Sequence, residues 1–371
     1  MRWLIITAII IGMQGLNFGL AKSLHWLVRP WWSAGFLPIA IVVFILSNAL
    51  FATLFIGQFR LAIGWLAVLW LWSLSALLSV GLIYGLNKAG VVLVLPERLL
   101  AVASFGLVLG FAVYNAYAPT VRHLAIEIDK PLPTPVRLAV ASDLHLGKMF
   151  GKRELALLET LIKTHEVDLL LMPGDIMDDD TEQFEKLEMA DALQRAMTAP
   201  RFGTVATLGN HDLYRTHAYR SITQAIIDGG AILLNDDSTT LTLKKDGKTS
   251  TLAIIGRYDD HHNSRLPTAA LLKDVDTRLP VVLVDHRPSD IDTHATLPID
   301  LQVSGHTHNG QVFPANFIVK AINRVGYGYE KINDTHFLVS SGFGFWGVPF
   351  RLGSRSEIWV IDVTGKDNAM P

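Results

Sequence analysis

Apolar positions dominate the first third of the chain and then give way to a different pattern. Four stretches, about Trp3 to Leu20, Phe36 to Gly57, Leu61 to Tyr84 and Leu99 to Tyr117, contain no acidic or basic residue. Each approaches the roughly 20 residues that an α-helix needs to cross a hydrocarbon core. The pattern predicts about four membrane-spanning helices, an all-α transmembrane region over residues 1–119. Buried helices of a water-soluble protein rarely supply so many long apolar runs in succession. Arg2 before a short apolar run also fits an export signal, but no small-x-small cleavage site with a polar start behind it follows, so an uncleaved helix is expected. His25-Trp26 and Arg29-Pro30-Trp31-Trp32 set indoles beside cations, a composition suited to the headgroup zone. Pro96-Glu97-Arg98 opens the last helix, with proline in its first turn. Gly106 and Gly110 form a G-x-x-x-G pair that permits close helix packing, a spacing that also arises by chance.

From Val121 onward, short apolar runs alternate with turns rich in Asp, Gly and His. Val136 to Ala141 reads as a strand running into Ser142-Asp143-Leu144-His145-Leu146-Gly147, and Lys152 to Thr164 then shows helical spacing through Leu155, Leu158 and Ile162. Asp168 to Met172 is a second strand, ending in Pro173-Gly174-Asp175-Ile176-Met177-Asp178. Thr204 to Leu208 ends in Gly209-Asn210-His211-Asp212, Val281 to Val284 in Asp285-His286-Arg287-Pro288, and Leu301 to Val303 runs into Gly305-His306-Thr307-His308. Five predicted strand ends thus carry metal-type donors, and in α/β sheets ligand groups gather beyond the carboxyl ends of strands. A lone histidine after a strand is usually a structural hydrogen-bonder, and a lone Asp-Gly turn only a turn. The ordered set is much harder to dismiss. The second region, residues 120–371, is long enough to bury one large core.

Composition narrows the chemistry. The chain of 371 residues has no cysteine, which removes disulfides, thiolate nucleophiles and sulfur-ligated zinc together. Its 34 acidic and 32 basic residues nearly balance, so no dominant basic surface speaks for nucleic acid, and none is expected as a partner. Orientation stays open: with four spans, Arg2, Arg60, Arg122 and Lys130 compete with Lys22, Arg29, Lys88 and Arg98, and the positive-inside count is a tie. The expected location is a cell membrane, crossed several times, with the side of the polar domain undetermined.

The order Asp-x-His, Gly-Asp-x-x-Asp, Gly-Asn-His-Asp, His, Gly-His-x-His resembles the calcineurin-like metallophosphoesterases, in their membrane-anchored bacterial-type branch, over about Arg137 to Val363. The resemblance implies an α/β fold, a four-layer α-β-β-α sandwich with the metals at one edge between its two mixed sheets. It implies that Asp143, His145 and His308 hold one metal, that Asn210, His286 and His306 hold another, and that Asp175 bridges them. Residues two apart on extended backbone point the same way about 7 Å apart, so His306 and His308 are expected to straddle ions separated by roughly 3.5 to 4 Å. Nitrogen and oxygen donors without sulfur suit two divalent ions of Mn, Fe, Co or Zn, and the histidines argue against calcium.

The implied activity is hydrolysis of a phosphomonoester or phosphodiester, with a lipid-linked ester among the candidates because of the membrane region. Two cations sharing a water lower its pKa toward neutrality, so that hydroxide attacks phosphorus in line while the metals neutralise the non-bridging oxygens. His211 is implied as the non-ligand histidine that meets the phosphate and assists the leaving oxygen, and Asp212 is expected to orient it. Other polar groups have blander readings. Asp178 to Asp180 read mainly as a solvated turn before Thr181, with hydrogen bonds to groups behind the ligands as the alternative; His261-His262 read as a surface loop, with reach to the site as the alternative; and Arg287 reads as a contact either to phosphate or to a sheet-edge carboxylate. In Gly342 to Arg351, which resembles the glycine- and tryptophan-rich loop of the membrane-associated branch, the aromatics read equally as core or as an apolar lip whose Arg351 meets a phosphate. The alternative to an enzyme is a non-catalytic membrane sensor or scaffold that retains the fold, against which the complete donor set counts. A transporter is disfavoured because no charged residue lies within a span.

Overall fold

A computed structural model of the chain describes residues 2–33, 35–91 and 97–366. Pro96, expected in the first turn of the last apolar helix, and the end of the predicted 120–371 domain lie outside the described residues. The chain separates into two compact units, one of residues up to Tyr114 together with Gly347–Phe350, the other of Asn115–Trp346 with the residues from Arg351 on.

The first unit is built of α1 (Arg2–Val28), α2 (Phe36–Ala52), α3 (Phe59–Lys88) and α4 (Glu97–Tyr117). Among the described residues Phe36–Ile56, Phe59–Lys88 and Glu97–Tyr117 are long and apolar enough to cross a membrane; α1 adds a 27-residue helix. Helices suit hydrocarbon because they satisfy every backbone N–H and C=O within one segment. Met13, Leu20, Ala21, Ile39, Ala40, Val43 and Leu69 pack together among α1, α2 and α3. Polar side chains pair across the helices: Gln14 Nε2 donates to Asn48 Oδ1 at 2.9 Å, and the hydroxyls of Ser79 and Ser104 lie 2.5 Å apart. Gly106 and Gly110 form no packing seam, since no described atom lies within 4 Å of where a Cβ would stand on either.

The second unit holds two six-stranded mixed sheets. One runs β1 (Thr120–Pro131), β12 (Glu357–Lys366), β2 (Val136–Val140), β3 (Leu169–Pro173), β4 (Thr204–Thr207), β5 (Ala231–Leu233). The other runs β10 (Gly328–Ile332), β11 (Thr335–Val339), β9 (Leu301–Ser304), β8 (Val281–Val284), β7 (Lys248–Gly256), β6 (Asp237–Lys245). In the first sheet β2, β3, β4 and β5 pair in parallel, and in the second β7, β8, β9 and β11 do. The period-two alternation of strands decides which side chains go where. Val136, Leu138 and Val140 of β2 join Val282, Val284, Leu301 and Val303 in a core between the sheets, whereas Ala139 and Ala141 face the helices.

Those helices are α5 (Lys152–Thr164), α6 (Glu182–Lys186), α7 (Ala190–Thr198), α8 (Asn210–Leu213) and α9 (Tyr219–Asp228). Leu155, Leu158 and Ile162 of α5 are buried at the spacing read from the sequence, and Glu154 caps the helix by accepting from the Gly151 N–H at 2.9 Å. Each such burial contributes about 1.5–3 kcal/mol relative to exposure. Short helices at Thr268–Leu271 and Ile291–His294 cover the far face of the second sheet, where Ala253, Ile255, Leu283, Phe337 and Val339 are buried. The expected α-β-β-α order is therefore present, and β2, β3, β4, β8 and β9 all run directly into the donor-bearing loops.

Candidate metal centre

The donors reach the sheet edge on tight loops rather than on extended strand. Asp143, His145, Asp175, His306 and His308 have φ of 54°, 48°, 51°, 67° and 48°, in the left-handed region that residues with a Cβ rarely occupy. The expectation that His306 and His308 straddle two ions from extended backbone is corrected by this. β9 ends at Ser304, and the turns that follow send the two rings to different neighbours. His306 Nδ1 lies 3.3 Å from His286 Nε2, and His308 Nε2 lies 3.2 Å from His145 Nε2.

Two glycines permit the close approach. A Cβ on Gly209 would collide with the Asp175 carboxylate, and one on Gly305 with the Asp143 carboxylate. Asp143 is held in turn by the backbone N–H of His306, which donates at 3.0 and 3.2 Å to its two oxygens.

The seven residues singled out from the sequence as ligands meet in two groups. Asp143, His145 and His308 form one, and Asp175, His286 and His306 the other; within each, candidate ligand atoms lie within 4.8 Å of one another. Asn210 belongs with the second, its Oδ1 3.1 Å from His286 Nε2 while its Nδ2 donates to Tyr214 Oη at 2.7 Å. Asp175 Oδ2 faces both groups, 3.2 Å from His286 Nε2 and 3.7 Å from His145 Nε2. Its Oδ1 accepts the His211 N–H at 2.8 Å.

Burial and charge set the protonation here. Burial pushes His145 down to about 3, so its imidazole is neutral. Burial also raises Asp143 to about 6. Burial opposes ionisation of His286 as well, but the Asp175 carboxylate outweighs it and lifts His286 to about 10. His286 Nδ1 donates to the Pro173 carbonyl at 2.8 Å, which fixes the ring and aims Nε2 at the other donors.

A divalent cation fits this donor set. The Nε2 atoms of His145 and His308 face each other, and only one can donate to the other, whereas a cation accepts both lone pairs. His145 Nδ1 is buried without a hydrogen-bond partner, 3.9 Å from Asp178 Oδ1. The Asp175 carboxylate favours a proton on His286, and a cation between them would take that proton's place, the usual exchange when metal binds imidazole and carboxylate.

His211 stands beside this cluster, its ring 4.8 Å from that of His145. The carboxylate that orients it is Asp179, whose Oδ1 lies 2.6 Å from His211 Nδ1. Burial alone would lower His211, but the Asp179 hydrogen bond and the charges of Asp175 and Asp179 together outweigh it, so its pKa is raised. The expectation for Asp212 is corrected accordingly. Asp212 is buried and accepts the N–H groups of Gly209 and Met177 at 2.9 Å and of Ile176 at 3.2 Å, so it ties the Asp175 loop to the Asn210 loop. Burial, then the neighbouring Asp175, pushes it up to about 7.

Asp179 was hidden in a run that reads as a solvated turn; its signal is a φ of 71°, which only the structure displays. Tyr214, one turn beyond Asn210, was not anticipated either. Its ring lies 4.7 Å from His211 and 5.0 Å from His261, which brings His261 to the rim of the site.

The aromatic segment divides. Phe343 and Phe345 are core, in edge contact with Phe150, while Trp346 is half-buried with its ring 6.3 Å from His211. Gln311 clamps the Trp346 backbone, donating to its carbonyl and accepting its N–H, both at 2.9 Å. Arg351 is fully buried and donates to the carbonyls of Ser341 and Gly344 at 2.6 Å, with Nη2 3.1 Å from His308 Nδ1. It braces the loop behind His308 and is closed to a phosphate. Arg287 likewise takes the carboxylate option, donating from Nε to the buried Asp259 at 2.6 Å.

The geometry agrees with the relatives of the chain. The family model for calcineurin-like phosphoesterase matches residues 136–310, which hold all seven donors and His211. A Bacillus subtilis protein, the uncharacterized metallophosphoesterase YkuE, is 31% identical over 225 residues, 59% of this chain and 76% of that protein. The chain belongs to the calcineurin-like metallophosphoesterase family. An uncharacterized metallophosphoesterase of Helicobacter pylori strain J99 is 28% identical over 260 residues, 68% of this chain. A Danio rerio transmembrane protein with metallophosphoesterase domain is 28% identical over 269 residues, 67% of this chain. The chain spans 65% of the length of the H. pylori relative and 59% of the D. rerio one.

Proposed function

We propose that the chain is a membrane-anchored, dinuclear-metal hydrolase of phosphomonoesters or phosphodiesters, with residues 1–119 as a multi-pass anchor in a cell membrane and 120–371 as the catalytic domain. The observation that carries this reading is the position of Asp175 Oδ2 between the imidazole nitrogens of His145 and His286, one from each donor group. A single carboxylate facing two sets of donors suits a pair of cations better than one. In this reading Asp143, His145 and His308 hold one ion, Asn210, His286 and His306 the other, and Asp175 both.

The bound ions, of Mn, Fe, Zn or Co, would supply Lewis acidity, making water acidic enough to attack phosphorus and neutralising the phosphoryl oxygens. The chain's own residues do the rest. The hydrogen bond from the His286 Nδ1–H to Pro173 and the backbone N–H groups on Asp143 and Asp175 fix the donors before substrate arrives, so no reorganisation is needed during turnover. Asp179 holds His211 by Nδ1 and favours its protonated form, leaving Nε2–H to give a proton to the departing oxygen. Asp212 keeps the His211 loop in register with Asp175 without touching substrate. The membrane helices favour a lipid-linked ester over a freely soluble one, and Trp346 beside His211 offers such a substrate an apolar contact.

The test is turnover by the purified full-length protein of nucleotide, phospholipid and saccharolipid phosphoesters, before and after chelation and with Mn²⁺ restored. Activity that disappears on chelation and returns with Mn²⁺ is expected for one of these classes. Hydrolysis that is indifferent to chelator sinks the metal reading, and inactivity of metal-loaded protein on every class favours the sensor or scaffold.

A further inference from the structure

The helical unit contains a cavity of ≈ 520 Å³ between α1, α3 and α4, remote in sequence from every donor of the metal centre. The volume falls in the range of ligand sites, roughly 300–1,000 Å³. Its two charged residues lie at one end along the helix axes. Lys22 near the end of α1, Asn87 at the end of α3 and Glu97 at the start of α4 line one end. Ser75 and Trp72, also lining it, lie twelve and fifteen residues back along α3 from Asn87. At a rise of 1.5 Å per residue these are about 18 and 22 Å deeper, more than half of a hydrocarbon core about 30 Å thick.

A long apolar slot with charges only at its mouth has the shape of a lipid, and the mouth specifies the head. It presents one cation and one anion, Lys22 and Glu97, and among the described residues neither forms an ion pair. Lys22 Nζ lies over the rings of Phe36 and Phe18, 4.6 and 5.5 Å from their centroids. Trp26, also on the wall, is fixed by the Arg98 guanidinium 5.0 Å from its ring and suits the headgroup level.

We propose that this cavity binds one zwitterionic diacyl phospholipid with an amine head, its phosphate at Lys22, its ammonium at Glu97, and one acyl chain lying along α3 toward Trp72. A purely anionic lipid leaves Glu97 facing a like charge, and a neutral sterol leaves both charges without a partner at the mouth. The proposal depends on the helices spanning a bilayer and is independent of the phosphoesterase chemistry, so either can fail alone.

The experiment reconstitutes full-length protein in bilayer discs of equal phosphatidylethanolamine and phosphatidylglycerol, extracts it into mild detergent, and reads retained lipid by native mass spectrometry. One phosphatidylethanolamine per chain is expected to survive delipidation, preferred over phosphatidylglycerol by about tenfold, the factor of about 1.4 kcal/mol. Ala76→Trp, which fills the cavity, and Glu97→Gln, which removes the anion, should each reduce that retention about tenfold while turnover of a small soluble phosphoester is unchanged. Retention of the two lipids in bilayer proportion, or of none, overturns the proposal. That comparison is read on the unmodified protein and needs no variant to fold.

Discussion

In the helical unit Leu77, Leu78 and Leu107 stand exposed on helices that are apolar almost throughout, whereas at the sheet edge of the second unit five of the seven donors sit at positive φ. The first arrangement asks only for apolar character over a sufficient length. The second asks for one atom in one direction, and several residues that touch no ligand are committed to providing it. Composition therefore carries the information in one unit and position carries it in the other. Substitutions should separate the two by orders of magnitude.

The largest effect is expected at Asp175, the one carboxylate facing both donor groups. Asp175→Asn keeps the shape and removes the charge that, in the proposed reading, would offset two cations. Activity on a chromogenic phosphodiester should fall on the order of 10³-fold, and bound metal measured by elemental analysis should drop below two ions per chain. Undiminished activity and metal content would break the dinuclear reading and, with it, the claim that position matters most here. Next comes Gly209→Ala, a change of one methyl group at a residue that offers no ligand. The added Cβ meets the Asp175 carboxylate, so metal affinity should fall roughly 10- to 100-fold, the usual range for disturbing a group behind a ligand. Circular dichroism close to that of the parent would distinguish this from unfolding.

These two residues also mark what the sequence could reveal. Asp175, Asn210, the histidine pairs and the strands before them were legible because hydrophobic runs end where donors begin, and because the order of the motifs is specific. The division of those strands between two facing sheets was not, since alternation assigns Leu138 and Ala139 to opposite faces without saying what either face meets. Two carboxylates were misjudged for a related reason. Adjacency in sequence suggested Asp212 for His211, but α8 turns Asp212 toward the N–H groups of Gly209 and Met177, and a left-handed Asp179 from another loop supplies the bond. Arg351 was equally illegible: a cation after an aromatic run looks like a phosphate ligand, and only its full burial against three backbone carbonyls shows that it is a brace.

Asp179→Asn tests that correction and should be milder, about tenfold in kcat. Its sharper readout is pH. Asp179 raises the pKa of His211 against the opposing effect of burial, so removing the charge lowers it. A general acid works in its protonated form, and the fall of kcat at high pH should therefore move to lower pH in the variant. Asp212→Asn should not produce that displacement, because Asp212 has no bond to the ring. If Asp212→Asn moves the alkaline limb and Asp179→Asn does not, the original assignment is restored.

Trp346→Ala should have a smaller and selective effect. Its ring lies beside His211, while its backbone is held by Gln311 whatever the side chain, so the loop should keep its course. Turnover of a lipid phosphoester in vesicles should fall about fivefold, as loss of about 1 kcal/mol of contact does, with a small soluble ester spared. Equal losses on both substrates would make Trp346 structural, like Phe343 and Phe345.

The smallest effect is expected at Leu78, a choice that exposes the comparison most directly. Leu78 is 63% exposed on α3, and in a bilayer the surface it presents would meet acyl chains that are as apolar as itself. Leu78→Ile keeps volume and hydrophobicity and should change thermal stability in detergent within about 0.5 kcal/mol, with unchanged turnover. Leu78→Asp, by contrast, puts a charge into hydrocarbon at a cost of about 2.5–3.5 kcal/mol and should reduce the amount of protein recovered from membranes. A large loss of stability from the isoleucine would mean that this face of α3 packs against protein, so that position would govern the helical unit as it governs the metal site. Indifference to the aspartate would show that the face meets water and that α3 does not span.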